Sequence, residues 1–542
     1  MTTSHRGPIE PVELFESLKI VSKDVKELWR PQADALREWD QNRTMNDVLF
    51  LLNTGAGKTL IGLLAAQSIV NETQGKVLYV CATNQLIEQT NFKASEYGID
   101  TTTYYNGTWQ GDSFDKCTGP CITNYQALFN GKSIFRSMDL EAIIFDDAHT
   151  AFSIIQEQYT LSIHKATMES LWREQIGLFA PYFQQAHRQN VFSDVIRGTD
   201  PYSVLFVPTF WVHQNIGQII EILDQARLDR EKSTMFSWAH LKDKLALCAV
   251  MVDASGVHFC PPVPPIHTLS YFSNGVRRLY LSATMPKGAT FYRAFGQKPD
   301  LVIRPGGRAG DCERMILPAL VSDTDEEARV WIKEAISDKK ALIMVPSQKI
   351  GRHWCDVAEL YETDQGHDRF IAFAESDSDK LVLAGRYDGI DLPDDACRVL
   401  VVDGFPSGLH PLERFFESYL NIGDITNSLV ACRVTQTFGR VSRGMNDYSV
   451  VLVMSRKLLK WLIDPRNRKK LPPTISQQLD VGDSLVPFYE KMSLGELMSK
   501  CLARKEDWLE IYQAHVSQTA HQSEVDLKDY VPQDVQLERN FI

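Results

Sequence analysis

Gly55, Gly57, Lys58 and Thr59 stand between an apolar run and an apolar helical pattern, in the stretch LLNTGAGKTLIGLL at 51–64. In such a loop, consecutive backbone N–H groups turn toward one centre and bind phosphate oxygens. A helix over 59–70 would add its N-terminal dipole. Lys58 supplies a charge for the β- and γ-phosphates, and the Thr59 hydroxyl is placed to bind Mg²⁺. The spacing predicts a nucleotide site formed by Thr54, Gly55, Ala56, Gly57, Lys58 and Thr59, although Leu52 replaces the usual first glycine.

A pair of acids follows a second apolar run, in IIFDDAH at 143–149. A strand that ends at Asp146 would deliver its carboxylate to Mg²⁺, and Asp147 would then polarise the water that attacks the γ-phosphate. The alternative is that the two acids only cap the following helix. Together with the phosphate loop, the pair favours nucleotide hydrolysis.

The two motifs resemble those of the superfamily 2 DEAD/DEAH-box helicases, with Asp-Asp-Ala-His where most members carry Asp-Glu-Ala-His. The resemblance extends to WRPQ at 29–32, which is similar to the Gln motif and implies that Gln32 contacts the adenine of ATP. ATNQLIEQ at 82–89 and TNYQAL at 123–128 resemble motifs that face nucleic acid. The contacts that this implies are Thr83, Asn84, Thr123 and Tyr125.

Three further motifs resemble the family's coupling and second-domain motifs. SAT at 282–284 is similar to motif III, which couples the ATP site to strand movement. GRYDGIDLP at 385–393 resembles motif V and implies that Gly389 and Asp391 lie at the nucleotide. QTFGRVSR at 436–443 matches motif VI. The catalytic set that the resemblance implies is Lys58, Asp146, Asp147, Gln436, Arg440 and Arg443, with the last three reaching ATP from a second domain.

Motif V and the sequence after it are most similar to the XPD/DinG-like branch of the superfamily. This implies a DNA helicase or translocase that moves 5′→3′ on a single strand. Members of the branch commonly carry a four-cysteine iron–sulfur cluster between motifs Ia and II, whereas this interval contains only Cys117 and Cys121. A cluster needs four thiolates, or two with histidines, so we expect two ordinary thiols and no metal there.

Short apolar runs without polar alternation are typical of parallel strands that are buried on both faces. Each of them precedes a loop or a helical pattern, which predicts an α/β fold with two RecA-like, doubly wound domains. The runs are VLFLL (48–52), VLYVC (77–81), AIIF (142–145), LYLS (279–282), ALIMV (341–345), VLVVD (399–403) and SVVLVM (449–454).

The stretch 151–265 breaks this alternation and is expected to be a mostly helical, arch-like insertion in the first domain. In NIGQIIEILDQARL (215–228), Ile216, Ile219, Ile220 and Leu223 share one helical face. The aromatic residues of 172–183 favour a core role over base stacking. We expect an N-terminal segment (1–26), RecA-like domain 1 (27–150 and 266–305), a hinge (304–311), RecA-like domain 2 (312–465) and a helical C-terminal extension (466–542).

The composition is ordinary for globular domains, with 44% hydrophobic and 23% charged residues. The net charge of −12 shows no global basic field, although binding depends on where the basic residues lie. The N-terminus has no apolar signal core, and the ten scattered cysteines are typical of reduced thiols. We therefore expect a cytoplasmic protein that does not associate with a membrane.

The expected activity is ATP- and Mg²⁺-dependent movement on nucleic acid, with single-stranded DNA favoured over RNA. DNA repair or phage defence is the expected setting, with a nuclease or another complex subunit as a protein partner. Two alternatives remain open: an RNA helicase, and an ATP-gated switch or scaffold that does not unwind. Asp147 bears on the last alternative, because aspartate is one methylene shorter than glutamate and holds its carboxylate about 1.5 Å nearer the backbone.

Overall fold

Three β-sheets organise the chain, whose structure is a computed structural model. It describes residues 7–22, 25–52, 55–200, 203–272, 275–285, 289–305, 312–319, 324–362, 368–385, 396–406, 408, 410–416, 423–442 and 447–516. Within these ranges, no helix combines the length and the apolar character needed to cross a bilayer.

The N-terminal part alternates strands with helices, as the apolar runs predict. Residues 48–51, 77–81 and 142–145 fall in buried strands, and the predicted run at 48–52 extends one residue past the end of β1. The elements are α1 (Pro11–Ser17), α2 (Arg30–Gln41), β1 (Asp47–Leu51), α3 (Lys58–Thr73), β2 (Val77–Cys81), α4 (Asn84–Tyr97), β3 (Thr102–Tyr105), β4 (Thr108–Gln110), β5 (Cys121–Asn124), α5 (Tyr125–Phe129) and β6 (Ala142–Phe145).

The stretch 151–265 contains a four-stranded antiparallel sheet as well as helices, in the order β7-β10-β9-β8. Helices still make up most of this stretch, as expected, but the sheet was not predicted, because its strands are only three to five residues long. Apolar runs this short do not distinguish a strand from a buried helix. The elements are α6 (Ala151–Gln158), β7 (Leu161–His164), α7 (Glu169–Gln185), α8 (Gln189–Arg197), β8 (Leu205–Val207), α9 (Thr209–Gln214), α10 (Ile216–Gln225), α11 (Met235–Leu241), β9 (Ala249–Asp253) and β10 (Gly256–Cys260).

The aromatic residues of this stretch form its core, as expected. Trp172, Phe179 and Phe183 are buried with Ile219 and Leu223 of α10 in one apolar cluster, and Tyr182 packs against that cluster. The cluster covers one face of the antiparallel sheet, to which β9 and β10 contribute their valines and Phe259.

After the insertion the chain returns to the first sheet through β11 (Arg277–Ser282), α12 (Ala289–Phe295) and β12 (Leu301–Ile303). The sheet order is β12-β1-β11-β6-β2-β5-β3-β4, and every pairing is parallel except that of β3 with β4. Because parallel strands end at one edge, the loops after β1, β2, β5 and β6 lie on the same side of the sheet.

The second parallel sheet has the order β13-β18-β17-β14-β16-β15. Apolar clusters lie on both of its faces, as in the first sheet. The elements are β13 (Glu313–Pro318), α13 (Asp325–Ala335), β14 (Ala341–Val345), α14 (Gln348–Gly351), β15 (Glu359–Leu360), α15 (Asp368–Glu375), β16 (Lys380–Ala384), β17 (Val399–Val402), α16 (Pro411–Phe415), α17 (Gly423–Phe438), β18 (Tyr448–Val453), α18 (Arg456–Ile463), α19 (Pro465–Arg468), α20 (Pro473–Leu485), α21 (Leu494–Leu502) and α22 (Glu506–Val516).

Helix α16 lies between β17 and β18 of the second sheet in the chain and packs on the open face of the insertion sheet. Leu412 shares a buried cluster with Met251, and the rings of Phe206 and Phe415 stack with centroids 5.1 Å apart. Arg414 donates to the Asp253 carboxylate at 2.8 Å. The insertion thus contacts the part of the chain that carries the second sheet.

His410, the residue before α16, is neutral at this contact. Its Nδ1 accepts from the Leu412 amide (3.2 Å), so the ring proton is on Nε2 and points at the Thr160 hydroxyl (2.9 Å). Burial, reinforced by the charge of His258, lowers the His410 pKa to about 4.

We expect the folded protein to lose stability as the pH falls from about 6.5 toward 4, because the unfolded chain takes up a proton that folded His410 resists. A shift from about 6.5 to about 4 corresponds to about 2 kcal/mol at pH 5. His240, whose pKa is also lowered to about 4 by burial, acts in the same direction. Thermal unfolding at pH 5 and pH 7.5, compared between wild type and His410→Gln, checks the assignment. An equal pH dependence in both proteins would contradict it.

Candidate active site

The phosphate loop connects β1 to α3 at the carboxyl edge of the first sheet. Gly55 and Gly57 have positive φ values of 83° and 77°, which an L side chain would strain. Gly57 also lies against Gln32, because a Cβ there would come within 2.2 Å of the Gln32 Nε2 atom. Helix α3 spans Lys58–Thr73 and so begins one residue before the predicted start at residue 59. The loop therefore has the backbone freedom that a cradle for phosphate requires.

Lys58 and Asp147 join the two central motifs. The Lys58 Nζ atom lies 2.6 Å from Asp147 Oδ1, and both side chains are largely buried. Asp147 has a left-handed backbone (φ 47°), and its carbonyl accepts from both the amide and the hydroxyl of Thr150 at 2.9 Å. In this structure the lysine that would bind phosphate is therefore held by the acid that would polarise water.

Asp146 directly follows β6 and is almost fully buried. Burial and the neighbouring Asp147 charge raise its pKa to about 6, against the lowering effect of Lys58. The Tyr125 hydroxyl donates to the Asp146 carbonyl at 2.9 Å and so positions the backbone at this point. The Asp146 carboxylate and the Thr59 hydroxyl are oxygen ligands of the kind that Mg²⁺ prefers.

Gln32 supports the phosphate loop directly. Its Nε2 donates to the Ala56 carbonyl, and its Oε1 accepts from the Trp29 amide, both at 3.0 Å. Both ends of the carboxamide are thus engaged within the protein. Its contact with adenine stays a prediction, and these two hydrogen bonds would have to rearrange for it.

Motifs II and III contact each other through one side-chain pair. His149 Nδ1 lies 3.1 Å from the Ser282 hydroxyl, at the end of β11. The Leu52 amide donates to the Ser282 carbonyl at 2.9 Å, which connects motif III to the entry of the phosphate loop. A displacement of Ser282 would therefore change contacts of both motif II and the phosphate loop.

Motif VI begins in the last turn of α17 and continues past its end. Gln436 and Arg440 are each 6% exposed, and the Gln436 Nε2 atom has no hydrogen-bond partner within the part of the chain that the structure describes. Leu429, earlier on α17, belongs to the same buried cluster as Ala148 and Met285 beside motifs II and III. Helix α17 therefore packs against the core of the first sheet. Thr54, Gly389, Asp391 and Arg443 lie outside the described residues.

The predicted nucleic-acid contacts divide into two groups. Thr83 caps α4 by accepting from the Leu86 amide (3.2 Å), and it is partly exposed together with Asn84. Thr123 and Tyr125 are 0% exposed, and the Thr123 hydroxyl donates to the Tyr104 carbonyl. Enclosed side chains cannot touch a strand on the surface, so the structure corrects the prediction for these two residues.

Asn124 stands between these two residues at the strand end, and the sequence analysis missed it. Its Nδ2 donates to Asn84 Oδ1 at 2.6 Å, and its Oδ1 caps α5 at the Ala127 amide. Asn124 is itself only 8% exposed, so it positions Asn84 and the start of α5 and does not present its amide to solvent. The signal that would have identified it is an asparagine at a strand end just before a helix, where asparagine is a preferred N-cap.

The two cysteines of the interval before motif II occupy different surroundings. Cys121 lies in β5 within the apolar core, where burial raises the pKa of its thiol. Cys117 is partly exposed and has a left-handed backbone (φ 53°). A buried neutral thiol is a poor metal ligand, since ligation requires the thiolate.

Comparisons with known proteins agree with this arrangement. Residues 26–176 match the family model "Type III restriction enzyme, res subunit", and residues 329–478 match "Helicase C-terminal domain". No curated protein matches the chain in sequence.

Solved XPD structures share the fold. The structure described as "XPD_APO" aligns with a TM-score of 0.55 and 15% identity over 81% of this chain and 98% of that one. "XPD_Helicase" gives 0.54 and 15% over 82% and 98%, and S. tokodaii Xpd4 gives 0.52 and 15% over 80% and 97%.

The two matched domains are helicase-family domains, and the two parallel sheets share the RecA-like fold of the XPD structures. The domain matches support an ATP-dependent helicase enzyme that acts on nucleic acid.

Proposed function

We propose that the protein uses ATP and Mg²⁺ to move 5′→3′ along single-stranded DNA, in DNA repair or phage defence and together with a protein partner such as a nuclease. The observation that carries the ATP-driven part is the 2.6 Å contact of Lys58 with Asp147 beside the buried Asp146. DNA and the polarity rest on the resemblance to the XPD/DinG-like branch. An RNA helicase and an ATP-gated switch without unwinding are the alternatives.

The positive charge of Lys58 has two partners in this proposal, Asp147 and the phosphates of ATP. In the structure it neutralises Asp147, and in the proposed reaction it stabilises the β- and γ-phosphate oxygens of ATP. Its transfer to the phosphates would release Asp147 to orient the attacking water and accept its proton. Thr59 and Asp146 would hold Mg²⁺, which neutralises phosphate charge. In this proposal the Lys58–Asp147 contact is present in the resting state of the site and broken in the state that hydrolyses ATP.

Steady-state ATP hydrolysis tests the proposal, measured without polymer and with single-stranded DNA, duplex DNA and RNA. Strong stimulation by single-stranded DNA supports it, and unwinding of duplexes with 5′ or 3′ overhangs then decides polarity. Stimulation by RNA alone favours the RNA helicase. Slow, equal turnover in all four conditions favours the switch. Lys58→Ala serves as the blank for contaminating ATPase.

Asp147→Ala is expected to lower kcat by about 10²-fold while ATP still binds, because a catalytic carboxylate contributes about 10²–10⁴-fold to proton transfer. Titration of a fluorescent ATP analogue separates binding from chemistry. Asp139→Ala is the matched control, since this acid precedes β6 and is exposed. Full turnover in Asp147→Ala would remove Asp147 from the mechanism.

A further inference from the structure

The β3–β4 hairpin reaches the same sheet edge as the phosphate loop. Strand β3 runs parallel to β5, so its end at Tyr105 and the turn Asn106–Gly107 lie on the carboxyl side of the sheet. Asn106 and Gly107 have positive φ values of 51° and 77°, as a two-residue hairpin turn requires. The hairpin is the last element of the sheet on this side.

A chain of asparagine side chains ties this turn to motif Ia. Asn124 Nδ2 donates to Asn84 Oδ1 at 2.6 Å, and Asn84 Nδ2 donates to Asn106 Oδ1 at 3.2 Å. The hydrogen bonds connect the end of β5, the first turn of α4 and the tip of the hairpin. The hairpin therefore has a set position relative to Thr83 and Asn84, the remaining predicted nucleic-acid contacts.

Trp109 lies just past the turn and has one covered side. Its ring packs against Tyr104, Phe114 and Phe135, with centroids 4.6, 5.9 and 6.1 Å away. The residue is nevertheless 40% exposed. Because its neighbours restrict the ring, a second planar group could stack on it with little further loss of side-chain entropy.

The surroundings of the exposed ring select the kind of ligand. Its strand neighbours Thr108 and Gln110 are exposed, polar and uncharged, with side chains on the opposite face of β4, and the asparagine chain lies beyond the turn. An exposed aromatic face on an uncharged strand suits an unpaired nucleobase, which offers a π-face. The competing account is that Trp109 only covers the Tyr104 and Phe135 rings.

We propose that Trp109 stacks on an unpaired base of the single strand that passes along this edge. The inference rests on the proposed function, and it names a contact that the helicase motifs do not contain. Base–aromatic stacking contributes about 1–3 kcal/mol per base, which corresponds to about a 5- to 150-fold change in affinity. Stacking of this kind tolerates any base sequence.

The test compares binding of a thymidine oligonucleotide with binding of an abasic oligonucleotide of the same length, measured by fluorescence anisotropy. Trp109→Ala and Trp109→Leu are expected to weaken binding of the thymidine strand about 5- to 150-fold, and Trp109→Phe to restore most of it. Binding of the abasic strand and the unstimulated ATPase rate are expected to stay unchanged. Phe210→Ala, which removes a 57% exposed aromatic ring from the insertion, is the matched control.

Three outcomes would overturn the inference. The first is an unchanged affinity of Trp109→Ala for the thymidine strand. The second is an equal loss of affinity for the abasic strand, and the third is full binding by Trp109→Leu, which keeps apolar packing but has no π-face; either of these would mean that Trp109 only supports the hairpin. If the wild-type protein binds no oligonucleotide and shows no stimulated ATPase, the proposed function fails as well.

Discussion

Replacing Arg440 by alanine is expected to lower kcat for ATP hydrolysis by about 10³-fold or more and to leave ATP affinity within a few-fold. An arginine that enters the ATP site from a second domain stabilises charge that develops on the γ-phosphate oxygens in the transition state, and such residues contribute about 10³–10⁵ in rate. Arg440 follows α17, which packs against the first domain's core through Leu429. The loss should therefore fall on the chemical step.

Two further variants keep this result interpretable, because Arg440 is buried and its loss can also unfold the protein. Arg440→Lys retains the charge without the planar fork and should recover only part of the rate. Arg456→Ala removes an exposed arginine from α18 and should change nothing. Thermal unfolding and ATP-analogue binding show whether the variants are folded. A folded Arg440→Ala protein with kcat within tenfold of wild type would exclude this role.

The strands of the two parallel sheets were predictable because a strand that is buried on both faces is a continuous apolar run in the sequence. VLYVC and AIIF coincide with β2 and β6, residue for residue. Four or five consecutive apolar residues are unfavourable in any exposed strand, and the loops that follow them contain the motifs. The order of strands, in which β11 from after the insertion separates β1 from β6, depends on contacts far apart in sequence and is not visible in the runs.

The insertion sheet was missed because its strands carry a mixed pattern. In GVHFC (256–260), Val257 and Phe259 face the insertion's own core, while His258 and Cys260 face the other side of the strand. That second side is covered by α16, which lies about 150 residues later in the chain. No local pattern shows that a distant helix will bury it.

Motif likeness located the predicted nucleic-acid edge but not which of its side chains are exposed. TNYQAL begins at the end of a parallel strand, yet Thr123 and Tyr125 are fully enclosed and Asn124 is only 8% exposed. Asn106–Gly107 in TYYNGTW is a short-range signal for a hairpin turn. Helix-cap and turn chemistry thus indicate the roles of Asn124 and of the hairpin, whereas the motif likeness does not indicate burial.

Asp253→Ala is expected to destabilise the insertion sheet by about 3–5 kcal/mol, the usual cost of removing one partner of a buried charge pair. The carboxylate accepts from Ser255 N (2.8 Å), Ser255 Oγ (2.6 Å), Gly256 N (3.1 Å), His258 Nε2 (3.2 Å) and Arg414 Nη1 (2.8 Å). Burial alone would raise its pKa, but the hydrogen bonds from His258 and Ser255 hold the pKa well below its usual range. Alanine removes the acceptor that all five of these donors share.

Amide hydrogen exchange measures the stability of the insertion sheet itself. A global unfolding curve does not, since a chain with several domains does not unfold in one step. Amides of β9 and β10 should exchange about 10²- to 4 × 10³-fold faster in Asp253→Ala, because each tenfold corresponds to about 1.4 kcal/mol. Arg414→Met should speed exchange of the α16 amides but leave the β9–β10 turn protected, because Asp253 would still accept hydrogen bonds from the amides of that turn. Asp224→Ala removes an exposed acid of α10 and should change neither. Unchanged exchange in Asp253→Ala would mean that the apolar contacts of Met251 and Leu412 hold this face without the ion pair.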